Sequence, residues 1–178
     1  MAKRVFNAVL TADSINDLKK ELLSYKTDFL QARLVELTER LAEKGVEIAK
    51  ANVTKLDAIF TGELIDSLHS EKGSISKGTA IFYIVTDSKH AAFVEFGTGQ
   101  LGMEGGYPYP FPNGVAWDYN SGTKIFEFSP GQYGWFYKRD EQWYFTQGMP
   151  SRPFMYETAM DLEREVVKLA KEIFARRV

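Results

Sequence analysis

The residues best suited to chemistry lie in "HAAFVEFGTGQLGMEGG", positions 90 to 106. Glu95 sits there among small and apolar neighbours, five residues after His90, one of only two histidines in the chain. A Glu–His pair could do general acid–base work, and Gly97, Thr98 and Gly99 could cradle a phosphate. Both chemistries need a context that is missing. The spacing is not that of a metal-binding HExxH helix, and no GxSxG elbow accompanies the serines. A P-loop would end in GK followed by Ser or Thr, whereas these glycines lead into "YPYP". The remaining readings of Glu95 are structural. It accepts hydrogen bonds from backbone amides around the Gly97–Gly99 turn, pairs with a base such as Arg152, or meets a partner subunit. The sequence predicts no catalytic residue, no cofactor and no metal site.

Composition narrows the field further. At 178 residues the chain is long enough for one domain with a real core. Its 22 bases against 24 acids argue against a protein that coats nucleic acid, which carries a basic excess. The absence of cysteine excludes disulfides, thiolate catalysis and cysteine-held zinc or iron–sulfur clusters. No apolar run is long enough to span a bilayer, and the short, interrupted apolar start does not read as a signal peptide. A soluble chain made in the cytoplasm is the expectation.

The elements that must position Glu95 follow from periodicity. Residues 14–25 read as a short helix capped by Ser14, and Phe29 to about Asn52 as a long one. Its stripe is Leu30, Leu34, Leu37, Leu41 and Ile48, with Gly45 a weak point. "TGELIDSLHS" reads as a turn and a short amphipathic piece, and residues 73–88 as a β-hairpin turning at Lys77-Gly78. Residues 89–96 form one or two helical turns closed by Gly97. From Pro153 a last helix carries Met155, Ala159, Leu162, Val166, Leu169 and Ile173 at spacings of three and four. The fold class is α+β, with a long N-terminal helix and a C-terminal helix packed on a mainly antiparallel β-sheet. The whole chain, 1–178, forms a single domain.

Residues 100–148 form an insertion rich in aromatics, glycine and proline. Thirteen aromatics fall between Tyr107 and Tyr144, among them Trp117, Trp135 and Trp143. "TKIFEFS" and "YGWFYKRDEQWYFTQ" alternate like strands, the latter turning over residues 138–141. The block reads as a second small core, a protein-contact patch or a sugar-stacking face. Arg152, between Pro150 and Pro153, is either a solvated residue at a helix start or one half of a salt bridge between segments or between subunits.

Three segments recur together in one family. "TGELIDSL" (61–68), "HAAFVEFGTG" (90–99) and "RPFMYETAM" (152–160) resemble the tail-completion, or neck, proteins of long-tailed bacteriophages. Thr61, Gly62, Leu64, Ser67, Ala91, Glu95, Phe96, Gly97, Thr98, Arg152, Pro153, Phe154 and Ala159 match that pattern. Thr158 stands where many relatives carry proline, and 100–148 is longer than the usual link. The resemblance implies a non-enzymatic virion protein of the neck, made in the host cytoplasm. It implies a ring of identical subunits, a hexamer, contacting head-completion or connector proteins and the tail tube or tail terminator. DNA passes through such a ring without sequence-specific binding, and no membrane is involved. On that reading "VEFGTG" is a corner with Phe96 buried, and Glu95 and Arg152 pair. The runner-up is a binding module whose insertion contacts a host surface or glycan, favoured if Trp117, Trp135 and Trp143 are exposed on one face.

Overall fold

The computed structural model describes residues 9, 11–58, 62–104, 107–108 and 125–175. Helix α1 spans Ala12–Lys55 without a break, where two helices were expected. The stretch "SYKTDF" between them holds no glycine or proline, so nothing interrupts the backbone ladder. The cap is Thr11 rather than Ser14. Thr11 Oγ1 accepts from the Ser14 amide at 3.3 Å, and Ser14 Oγ accepts from the Val9 amide at 2.9 Å.

Helix α2, Glu63–Ser67, leads directly into strand β1, Leu68–Ser76, which pairs antiparallel with β2, Thr79–Thr86. Gly78 takes φ +79° in the turn expected at Lys77-Gly78. The Gln31 side chain clamps that turn to α1: its Oε1 accepts from the Gly78 amide at 2.6 Å, and its Nε2 donates to Thr79 O at 3.3 Å. Short helices α3, Ala91–Phe96, and α4, Gly99–Glu104, follow. Strands β3, Phe126–Ser129, β4, Gln132–Arg139, and β5, Gln142–Thr146, form a second antiparallel sheet in the order β3-β4-β5. The short strand β6, Gly148–Met149, returns the chain to the corner, and helix α5, Phe154–Ala175, closes it.

The expected α+β class and the two long helices are present, with the strands divided between two sheets. Helices α1 and α5 run antiparallel, with Asn52 facing Thr158 and Gly45 facing Leu162. The buried line of α1 is Ala42, Gly45, Ala49, Asn52 and Val53, not the expected leucine stripe, most of which flanks it half-buried. Small residues win the centre because two neighbours converge there. A Cβ on Gly45 would lie 2.9 Å from Leu162 Cδ1 and collide with Ile84 Cδ1. On α5 the buried residues are Phe154, Thr158 and Ile173, so the predicted stripe is off by one position in the first turns. Asn52 Nδ2 donates to Thr158 Oγ1 at 3.3 Å, and that hydroxyl donates to Phe154 O at 2.7 Å, which satisfies the buried polar pair.

Candidate functional site

Three remote segments meet at one joint. Leu64 from α2, Val94 from α3 and Phe154 from α5 share a core cluster with Ala49, Val53 and Leu68. Around that apolar centre the backbone of the 93–102 corner is stitched to residues 147–156. Arg152 N donates to Val94 O at 2.8 Å, and Ser151 Oγ donates to Glu95 O at 2.6 Å.

Glu95, only 6% exposed, sits at the centre of this stitching. Its Oε2 accepts from the Met155 amide at 2.8 Å and its Oε1 from the Tyr156 amide at 3.0 Å. These are first-turn amides of α5, which have no partner within their own helix. Pro153, just before that helix, has no side-chain acceptor with which to cap it. Glu95 therefore caps α5 from another element, with its charge at the positive end of the helix dipole. Burial pushes its carboxyl above the ordinary glutamate range, and the two amides pull it partway back.

Three expectations are corrected here. The amides that bind Glu95 belong to α5, not to the Gly97–Gly99 turn. Nor does Glu95 pair with Arg152: both carboxylate oxygens already face helix amides, and Arg152 joins the corner through its backbone. Phe96 is half-buried rather than buried, packed on Tyr107 with ring centroids 4.9 Å apart.

The glycines of the corner are there for close approach. Gly97 closes α3 at φ +76°, and a Cβ there would lie 2.7 Å from Ser151 N and 2.8 Å from Gly102 Cα. Gly99, at φ +61°, faces Gln147 O and the Trp135 ring. Thr98 is buried, and its Oγ1 accepts from the Met149 amide at 3.1 Å. The amides of Gly97 and Leu101 donate to Phe93 O and Gln147 O. Phe154, at 1% exposure, is core, and Pro153 is half-buried beside it.

Sequence reasoning missed Gln100. Its Oε1 accepts from the Tyr133 amide and from Gln147 Nε2, both at 2.9 Å, and its Nε2 donates to Gly131 O at 3.1 Å. This one side chain ties the aromatic sheet to the corner. No spacing in the sequence signals it, because its partners lie 31 to 47 residues away.

Glu95 and His90 line different cavities. Glu95 borders one of about 350 Å³ with Phe96, Tyr107 and Met155. His90 borders another of about 340 Å³ with Val53, Leu64 and Phe93. Among the described residues no group of acids and histidines could hold a metal ion.

The aromatic insertion presents two faces. Phe126, Phe128, Phe136 and Phe145 cluster with ring centroids 4.6 to 6.1 Å apart. Trp143 pairs with Lys138 and Trp135 with Thr146, so the two tryptophans lie on opposite faces of the sheet. Trp143 is 67% exposed, while Trp135 is half-buried against Gly99. Trp117 lies outside the described residues.

No family model, curated protein or solved structure matches the chain. Among the described residues, no helix is long and apolar enough to cross a membrane.

Proposed function

We propose that the chain is a structural, non-enzymatic subunit of a phage neck, assembling with copies of itself into a ring, a hexamer, at the head–tail interface. Its partners are head-completion or connector proteins on one side and the tail tube or terminator on the other. DNA passes through the ring without being read. The observation that carries this reading is the use made of Glu95. The acid best placed for catalysis has both oxygens occupied by α5 amides, inside a joint built from the three segments that resemble neck proteins. A near-neutral net charge of −2 also suits a channel that must release DNA.

Light scattering at several concentrations with negative-stain imaging tests the proposal. Rings with a central hole wide enough for a duplex are expected, either alone or on addition of a purified connector. A monomer under both conditions would overturn it. Glycan binding through the insertion is less well supported, because Trp135 and Trp143 do not form one stacking face.

A further inference from the structure

Helix α5 carries an outward stripe whose spacing is palindromic. Glu163 and Lys171 lie four residues to either side of Val167, and Met160 and Phe174 lie seven. At about 100° per residue these five positions share one face. Leu162 faces Gly45 of α1, and Val167 follows it by five positions, so the stripe points about 140° away from the seam with α1. The buried positions of α5, Phe154, Thr158 and Ile173, lie on the other side.

All five residues of the stripe reach solvent. Met160, Val167 and Phe174 are 40, 59 and 41% exposed, and Glu163 and Lys171 are exposed as well. The charges beside them are matched within the helix: Arg164 pairs with Asp161 at 3.1 Å, and Lys168 with Glu165 at 3.5 Å. Glu163 and Lys171 have no such partner among the described residues.

The order of these residues identifies the occupant. When two identical helices pack antiparallel about a two-fold axis, a residue some positions before the axis meets the residue as many positions after it in the other copy. With the axis at Val167, Val167 meets its own counterpart, Met160 meets Phe174, and Glu163 meets Lys171 of the second copy. The symmetry repeats each contact, so an ion pair flanks the apolar centre on both sides. A parallel, in-register pair would set Glu163 on Glu163 and Lys171 on Lys171, acid on acid and base on base. We propose that α5 forms an antiparallel, two-fold contact with a second copy of this chain, centred on Val167. Helix α5 is already ordered by α1 and capped by Glu95, so little further ordering opposes the association. A two-fold contact joins chains in pairs, whereas a closed ring uses a head-to-tail surface. The α5 pair is therefore separate from the ring contact and does not rest on the neck reading.

The chain has no cysteine, so an introduced thiol reports on one position. Val167→Cys places a thiol on the axis, facing its own counterpart, and Lys168→Cys places one about 100° round the helix. Under mild oxidation of the full chain, V167C is expected to form disulfide-linked dimers at least about tenfold faster than K168C, because the seam raises the effective thiol concentration. Equal rates would overturn the proposal. Charge reversal supplies a second measurement. Glu163→Lys alone and Lys171→Glu alone each set like charges face to face, and each is expected to raise the dimer dissociation constant at least about fivefold in analytical ultracentrifugation. The double variant restores opposite charges across the axis and is expected to return to within about twofold of wild type. A double variant no tighter than the singles would overturn the proposal, as would a wild-type chain that stays monomeric up to about 1 mM. Cross-linked V167C dimers with no ring ever imaged would uphold the pair and remove the neck reading. Rings without cross-linking at V167C would do the reverse.

Discussion

The corner joint and the aromatic sheet are both rich in glycine and aromatic residues, yet they are built in opposite ways. At the joint key polar groups are answered from far along the chain, as when Glu95 meets amides 60 and 61 residues away. In the sheet the pairing is local, and the turn Asp140-Glu141 folds β5 back on β4. The joint buries its side chains, whereas the sheet leaves Phe126, Phe128, Phe136 and Trp143 exposed. The first region is tied together across the chain, and the second turns aromatic side chains to solvent.

Substitutions should separate the two regions by size of effect. The largest is expected for Gly97→Ala, which combines a positive φ with backbone contacts at 2.7 to 2.9 Å. It should cost about 3–5 kcal/mol, read by denaturant unfolding. A loss under 1 kcal/mol would mean that the corner relaxes easily and is not the rigid element.

Glu95→Gln comes next. One end of the new amide must turn N–H toward a helix amide, so a loss of about 1–3 kcal/mol is expected. The pH dependence sharpens this test. Burial raises the folded-state pKa of Glu95, so the proton is held more tightly folded than unfolded. Its contribution is fully present below the ordinary glutamate range and declines as pH rises through the folded value. The gap between wild type and E95Q should therefore shrink as pH increases, in melts across that window. A gap that widens would mean that the two amides outweigh burial.

In the sheet, Asp140 and Glu141 both take positive φ, at 49° and 63°. That is the geometry of a two-residue hairpin turn that favours glycine or asparagine. Glu141→Gly should stabilise the chain by about 1 kcal/mol. No gain would show that the sheet folds independently of the unit whose melting is observed. The smallest effect is expected for Trp143→Ala, within about 0.5 kcal/mol for stability, since the side chain is largely in solvent. If it nevertheless abolishes assembly, the exposed face is an interface.

Legibility in the sequence follows the same division. The hairpin at Lys77-Gly78, the strands of the insertion and the Gly97 stop could be read because turns and alternation are local signals. The extra length of α1 was hidden by reading two apolar stripes as two helices, when both lie on one uninterrupted helix. Glu95 was recognisable as important, but its partners were not. Its donors are backbone amides, which no side-chain pattern advertises, and an arginine two residues before Phe154 offered a more obvious charge. Gln100 left no signal, since one glutamine serving three remote backbone and side-chain groups looks like any surface glutamine.

The most direct test of the structural role of Glu95 is residue-resolved hydrogen exchange at the Met155 and Tyr156 amides, in wild type and in Glu95→Gln. Strong protection in wild type, lost at one or both amides in the variant while the Ala49 and Val53 amides stay protected, is the predicted result. Equal exchange at Met155 and Tyr156 in the two proteins would contradict it, and would return Glu95 to the list of residues free for chemistry.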